Sequence, residues 1–428
     1  MGRKRTILFL QGPTSVFWRE LAGAFEAKGH SALKINFCFA DQLYWRRPRS
    51  WNYRGRFKNW KRYISAFVKA NNVTDIIYYA DRFPYHLVAA DVARDMGIAT
   101  FVIENGYLRP DWITLEREGM SAYSHFPADP ESIYKVAGKV KEPDLVTRFA
   151  YSFFDETFNE VFFHLLAYFF RLFFPFYRSD KYYNPVIDYL SGLRRQLRLN
   201  RLGREADAVV ADLVSHAEPF HLVALQTQSD YQIRDNSPYR HISEMIDDVV
   251  SSFAEHAPSN GRLVFKLHPH DNGIVAWPRD IARIAAQRGV GHRVVSIDGG
   301  DLDTLLKAAR GVVTINSTVG LRAIRMSCPV KALGAAIYVM AGLTHPGPLA
   351  TFWSAPEPVD RDLASAFVRA LAGSIQVKGS FYNRAGRKAA IDEIVTRIEN
   401  DRVNEPDAFE STPPRLKRAQ ELGIAVAS

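Results

Sequence analysis

The sequence predicts an α/β protein made of two Rossmann-like halves, each built on a parallel sheet with helices on its faces. Three observations lead there. Strand and helix patterns alternate over the first 105 residues, a second alternating series opens near residue 221, and the strands of both series end in polar clusters. A chain of 428 residues, 47% hydrophobic and 24% charged, has the length and composition for two ordinary globular domains.

In the first series, TILFL (6–10) is a strand and Ser15–Lys28 an amphipathic helix closed by Gly29. SALKINF (31–37) is a strand and 57–71 helical; DIIYYAD (75–81) is a strand, 85–96 helical and ATFVIE (99–104) a strand. Residues 130–215 read as helical and rich in Phe, Tyr and Arg. The second series sets strands at HLVALQ (221–226), RLVFKLHP (262–269), RVVSID (293–298), GVVTINS (311–317) and PVKALG (329–334). Helices fall between them at 238–256, with Ser237-Pro238 as its start, and at 277–289, 301–309 and 318–327.

The expected organisation is a Rossmann-like acceptor-side domain at 1–130 and a helical, aromatic and basic segment at 131–215. A second Rossmann-like domain, for the donor, follows at 216–375, then a helix and tail at 376–428. Two such halves facing a cleft make a GT-B-like arrangement the expected architecture. Glycosyltransferases and sugar epimerases share it, so fold leaves function open.

Charge and aromatics add a second expectation. The net charge is +9, and between Arg46 and Arg62 stand eight Lys or Arg residues and no acid, interleaved with aromatics from Trp45 to Trp60. Such a stretch suits nucleic acid or an anionic membrane surface. Trp and Tyr favour the headgroup level, so a membrane is expected and nucleic acid is not. The run VFFHLLAYFFRLFFPFY (161–177) is too short for a comfortable span, which needs about 20 apolar residues. It reads as a buried helix or an interfacial one. With the basic run RRQLRLNRLGR (194–204) after it, the expectation is a peripheral protein on the cytoplasmic face of the inner membrane. Two cysteines, Cys38 and Cys328, give no disulfide framework and fit a reducing compartment, and TILFL is too short for a signal peptide.

The chemistry is expected at the carboxyl ends of the strands, where open α/β sheets bind ligands. In the first half these ends hold Gln11-Gly12, Asn36, Asp81-Arg82 and Glu104-Asn105-Gly106. In the second, Gln226-x-x-x-Asp230 breaks off a buried strand without a turn residue; as a strand end with a helix N-cap it would need no further function. His268-Pro269 ends another strand, and Asn316, Ser317 and Thr318 open a helix whose amides form an anion site. No GxGxxG follows the first strand, and Walker A, HExxH and GxSxG motifs are absent from the sequence. Dehydrogenase, ATPase, metalloprotease and serine-hydrolase readings lose their usual support.

The ordered motifs FLQGPTSVFW, INF, YYADRFPYH, IENGYLRPDWITLE, LQTQSDYQIRDNS, KLHPHD and GSFYNRAG resemble the bacterial capsular polysaccharide biosynthesis family of Kps/Lip type. These are β-Kdo transferases, and the chain looks nearest to the shorter, single-module, lipid-priming member. The resemblance implies a CMP-Kdo donor, a lysophosphatidylglycerol-type acceptor and retention of the β configuration. Retention normally takes two displacements through a carboxylate nucleophile. Asp230 would then be the nucleophile, with Gln226 beside it, and Glu104 the base on the acceptor hydroxyl. Asn105 stands where many relatives carry a second carboxylate, which leaves Glu104 alone. The resemblance sets His268, Pro269, Asn316, Ser317 and Thr318 around the donor phosphate. Lys266 and Arg234 are candidates for the sugar carboxylate, and Gln11, Gly12, Asp81, Arg82, His86 and Arg109 belong to the acceptor side of the cleft.

No cofactor or metal is expected, since CMP leaves once its phosphate is hydrogen-bonded. Two other readings stay open. A sialyl-type CMP-sugar transferase working by one displacement would make Asp230 structural, and a non-catalytic capsule assembly or export component would bind glycan and partner proteins. The polar residues at so many strand ends weigh against the last.

Overall fold

The computed structural model describes residues 3–216 and 219–424. Residues 1–2, 217–218 and 425–428, which fall in the first, third and last expected segments, lie outside the described residues. In chain order the strands are β1 (Thr6–Phe9), β2 (Ser31–Asn36), β3 (Ser50–Asn52), β4 (Asp75–Tyr79), β5 (Ala99–Asn105) and β6 (Trp112–Arg117). Then come β7 (Phe220–Ala224), β8 (Arg262–Lys266), β9 (Val294–Ile297), β10 (Gly311–Thr314), β11 (Val330–Ala332) and β12 (Gln376–Lys378).

The chain forms two compact units. The first comprises Met1–Pro127, Lys135–Lys181 and Val368–Pro413, around a sheet ordered β12-β6-β5-β4-β1-β2-β3. From β5 to β3 the neighbours pair in parallel, as the alternating pattern requires. Because side chains alternate across a strand, Ile7 and Phe9 face one side and Leu8 the other. Ile7 and Phe9 pack with Phe17 and Phe25 of helix Phe17–Ala27 and with Ile391 and Ile394 of helix Arg384–Glu399. Leu8 packs with Ile64 of helix Trp60–Ala70 and Val92 of helix Pro84–Met96.

Several features of this unit depart from the sequence reading. β6 pairs antiparallel with β5, and β12 antiparallel with β6, so residues 368–413 complete the first sheet instead of trailing behind the second. The basic stretch 46–62 follows helix Phe39–Trp45 and contains β3, a short helical turn at Phe57–Asn59 and the start of helix Trp60–Ala70. Trp45, Tyr53 and Trp60 are core residues, so the aromatics that suggested headgroup contact mostly serve packing. Trp51 is exposed, and of the eight cations only Arg47 is partly covered. The physical reason is the amphipathic period. Trp60, Ile64, Phe67 and Val68 share the inner face of one helix, while Lys61 and Arg62 point to solvent.

The second unit comprises Ala128–Tyr134, Tyr182–Phe367 and Pro414–Ser428, with an all-parallel sheet ordered β11-β10-β7-β8-β9. The helical segment expected at 131–215 is thus divided between the units. Val223, Phe265 and Val313 of the central strands bury against helices Ile242–His256 and Trp277–Gln287. The first of these begins at Ile242, not Pro238, because His241 and Glu244 form a capping box there. Among the described residues no helix is long and apolar enough to cross a membrane.

Candidate functional site

In the second unit, β7 runs out at Ala224, and the Leu225 amide makes one more ladder bond to the Lys266 carbonyl. Polar side chains take over from there. Gln226 is buried and Asp230 half-buried. Gln226 Nε2 donates to Asp230 Oδ2 at 3.1 Å and to Asn316 Oδ1 at 2.9 Å, while its Oε1 accepts from the Asn316 amide at 3.2 Å. Asp230 Oδ1 accepts from the Gln232 amide at 2.9 Å, which makes it the N-cap of the short helix Tyr231–Asn236. Asn316 Nδ2 closes the network on the Gln232 carbonyl at 2.9 Å. The N-cap role and the Gln226 contact therefore coexist, one on each carboxylate oxygen.

Asn316 and Ser317 follow β10. Ser317 caps helix Thr318–Arg325 by accepting from the Val319 amide at 3.2 Å, and its own carbonyl is held by Tyr338 Oη at 2.7 Å. Thr318 is half-buried at the first turn. Gly320 is required by close approach, because a Cβ there would lie 2.3 Å from Tyr338 Oη.

His268, half-buried beyond β8, accepts the His270 amide on Nδ1 at 3.0 Å, so its neutral ring carries the proton on Nε2. The loop after it is held by a residue the sequence analysis passed over. Arg195 Nη1 donates to the Pro269 and Asp271 carbonyls at 2.7 and 2.9 Å, and Nη2 to the His268 carbonyl at 3.2 Å. The same guanidinium pairs with Asp298, just past β9, through Nε at 3.0 Å and through Nη2. Arg195 belongs to the basic run expected on the surface, yet it faces inward and serves the loop. A second tie runs from Asn272 Nδ2 to Asp188 Oδ1 at 2.8 Å. Asp271 spends both oxygens on the Gly273 amide and the Trp277 indole, and burial raises its carboxyl above the ordinary range.

Two expected anion partners are differently engaged. Lys266 Nζ donates to the Gly299 carbonyl, and burial lowers its ammonium against the opposing charge of Asp298. Arg234 lies 5.9 Å from the Tyr182 ring centroid.

In the first unit the strand ends are built differently. Gln11 is buried and donates to Tyr177 Oη at 3.0 Å, and Gly12 is pressed on Trp18, whose ring would be 2.6 Å from a Cβ. Asp81 is buried; Oδ2 accepts the Met120 amide at 3.1 Å, and burial raises its carboxyl despite Arg82 nearby. Arg82 lies over the Tyr123 ring at 3.7 Å. His86 does not reach the acceptor side where it was expected. It is 0% exposed, with Nδ1 2.9 Å from the Ala80 carbonyl, and burial depresses it to about 4. A histidine at the third position of a helix capped by Phe83 turns back beneath the strand end and packs on Tyr78.

Glu104 is half-buried near the end of β5, opposite Thr114 of β6. Asn105 Nδ2 donates to Tyr79 Oη at 3.3 Å. Gly106 is obligatory, since a Cβ would stand 2.5 Å from the Trp112 backbone. Two tyrosines that the sequence analysis did not single out, Tyr79 and Tyr107, lie close enough to Glu104 for its charge to raise their phenols, and Tyr382 and Tyr151 lie further along the same wall. Burial first, then the Glu104 charge, raises the Tyr79 phenol; Tyr382 and Glu156 add to the same effect, and exposed Arg109 opposes it. Tyr382 Oη lies 3.1 Å from Thr14 Oγ1 and its ring 5.3 Å from that of Tyr151, whose phenol burial pushes up to about 12. The signal for Tyr382 was its place in GSFYNRAG; Tyr151 and Glu156 had none. Among the described residues no group of three His, Cys, Asp or Glu side chains is placed to hold a metal.

The arrangement therefore offers a carboxylate gripped on both oxygens, an Nε2–H donor and a capped helix N-terminus in the second unit. In the first it offers a carboxylate among phenols. A family model described as capsule polysaccharide biosynthesis protein matches residues 74–382. The chain is 30% identical over 380 residues to the capsule polysaccharide export protein KpsS of Escherichia coli, covering 88% of this chain and 96% of that one. It is 27% identical over 391 residues to the capsule polysaccharide modification protein LipB of Neisseria meningitidis serogroup B, covering 88% and 92%. Among solved structures it is similar to Thermosulfurimonas dismutans KpsC, beta Kdo 2,7 transferase, at 14% identity and a TM-score of 0.44, covering 92% of this chain and 99% of that one. On the family match over residues 74–382 and a relative 30% identical over 88% of the chain, the chain belongs to the capsule polysaccharide biosynthesis protein family.

Proposed function

We propose that the protein is a retaining β-Kdo glycosyltransferase that moves Kdo from CMP-Kdo to a lysophosphatidylglycerol-type lipid, priming a capsule linker at the cytoplasmic face of the inner membrane. Other capsule assembly proteins are its expected partners there. The observation that carries the reading is the Asp230 carboxylate, held by Gln226 on one oxygen and the Gln232 amide on the other. A carboxylate fixed in this way at a strand end is pre-oriented for attack, and two displacements at one carbon restore its configuration.

In the first step an Asp230 oxygen bonds to the anomeric carbon of Kdo as the bond from that carbon to the CMP phosphate breaks, the electron pair leaving with CMP. His268 Nε2–H and the amides of the helix begun by Ser317 suit the phosphate that departs. In the second, Glu104 takes the proton of the acceptor hydroxyl, whose oxygen displaces Asp230 and releases it as a carboxylate.

The purified protein, incubated with CMP-Kdo generated in situ and a fluorescent lysophosphatidylglycerol, should yield a product one Kdo heavier in the β configuration. Consumption of CMP-sialic acid instead would replace the donor assignment. An inverted product would return Asp230 to a structural role, and no turnover with any CMP-sugar would favour the non-catalytic assembly component.

A further inference from the structure

Helix Phe153–Phe169 of the first unit has two apolar faces, and one of them is uncovered. Its inner face is accounted for: Phe163 is buried, and it packs with Leu166 and Ala167 against Cys38, Ala40 and Tyr44. On the outer face Phe154, Phe158 and Phe162 follow at intervals of four residues and are 76%, 68% and 40% exposed. The turn after the helix continues the ridge, with Phe169, Phe173 and Leu172 exposed, the last to 86%. So long an exposed apolar run is not ordinary surface.

On the side of the turn the rim of the ridge is cationic, while Asp155, Glu156 and Glu160 lie on the helix itself, Glu160 paired with Lys181. Arg54 lies 5.8 Å from the ring centroid of Phe174, and Arg56 5.1 Å from that of the half-exposed Phe176. Phe170 stacks on Phe39 at 4.6 Å, and Phe39 lines a depression with Leu43, Arg46 and Arg47. Arg47 is committed to Glu26, while Arg46 is exposed.

We propose that this face docks on an anionic bilayer, with the Phe154–Phe173 ridge entering the acyl boundary, Arg54 and Arg56 at the phosphates and Arg46 on a headgroup in the depression. The partner is chosen by charge and shape. The neighbouring stretch from Arg46 to Arg62 carries no acid, and the apolar side chains form one ridge along a helix face and the turn after it, with Phe158 stacked on Phe162 and Phe170 on Phe173. An apolar ridge beside an acid-free basic stretch suits the boundary between acyl chains and anionic headgroups. Docking does not depend on the donor or on turnover, so it stands or falls apart from the transfer reading.

The test is flotation of the full chain with vesicles of phosphatidylcholine alone or mixed with phosphatidylglycerol, at low and high salt. Binding should require phosphatidylglycerol and weaken with salt. It should fall at least about tenfold both in Phe158→Ser/Leu172→Ser and in Arg54→Glu/Arg56→Glu. These positions are exposed, so the thermal midpoint should not move. Wild-type flotation by both variants would overturn the proposal. So would loss of binding only on Leu190→Ser/Leu193→Ser, in the outward leucines of helix Pro185–Gln196 in the other unit. Release by soluble glycerol phosphate as complete as by salt would also overturn it, because it would make the surface a headgroup site without insertion.

Discussion

The carboxyl ends of the two sheets are both polar, but they achieve it in opposite ways. In the second unit the polar side chains bind one another: Gln226 joins Asp230 to Asn316, and Arg195 gathers three carbonyls and Asp298. In the first they are separated by aromatic walls, with Gln11 on Tyr177, Arg82 over Tyr123 and Glu104 among tyrosines. A hydrogen-bonded network costs little to reorganise around an ionic group, and on the proposed function it would serve the charged donor. Phenols and rings give shape and an apolar wall, and on the same proposal would serve the acceptor hydroxyl.

If that contrast is right, the two carboxylates should fail differently. Asp230→Asn should keep the fold and CMP binding but lower transfer by about a thousandfold or more, because an amide cannot form the glycosyl ester. Glu104→Gln, or omission of acceptor, should instead leave one added Kdo, which intact-protein and peptide mass spectrometry should place on Asp230. Near-normal turnover in Asp230→Asn, or an adduct mapped elsewhere, breaks the comparison. Asp271, buried where Asp230 is half-buried and shifted by that burial towards its neutral form, is an unfavourable substitute.

Arg195 is a positioning residue on this account. Arg195→Ala leaves the nearly buried Asp298 without its guanidinium, and should cost about 3–5 kcal/mol in chemical denaturation. Arg195→Lys, which keeps the charge but not the fork, should restore much of that stability yet still raise the donor KM more than it lowers kcat. Equal recovery of both parameters in the lysine variant would make Arg195 purely structural. For His268→Ala, loss of a charge-assisted contact should cost about 1.5–3 kcal/mol in donor kcat/KM with little effect on folding. An unchanged affinity for CMP would take His268 out of the donor site.

The smallest effect concerns acid. His86 in the first unit and His221 in the second are buried, and burial depresses each to about 4. The unfolded chain binds these protons near pH 6.5 and the folded chain does not, so their contribution is complete above pH 6.5 and is lost as pH falls towards 4. At pH 5.5 each should have cost roughly 1 kcal/mol, and His86→Phe should flatten the pH dependence of unfolding by about that amount. A slope unaltered by the change would mean that the ring is already protonated in the core.

The parallel series was legible because each strand is a short apolar run ended by polar residues, a pattern local in sequence. The Gln226–Asp230 pair was legible for a similar reason, since only three residues separate the polar end of the strand from the N-cap of helix Tyr231–Asn236. β6 and β12 were not, although WITLER alternates plainly, because their pairing joins Trp112 to Lys378 and no local pattern reports a partner so distant. Composition likewise marked 45–60 as aromatic and basic but could not say that Trp45, Tyr53 and Trp60 turn inward while the arginines stay out. Of the two stretches read as lipid-facing, the aromatics of 45–60 mostly turn inward, while exposed rings of 161–177 continue the outer face of helix Phe153–Phe169.

By itself, then, the sequence determined the two α/β halves, the order of nine of their strands along the chain and the polar character of those strand ends, because these follow from side-chain periodicity and local capping. Only the tertiary structure decided that His86 is core, that Lys266 is bound to a backbone carbonyl, that Arg195 grips the His268 loop, and that residues 368–413 finish the first sheet. Each of these depends on which distant group a side chain meets. Burial and hydrogen bonding are properties of that meeting, not of the residue alone.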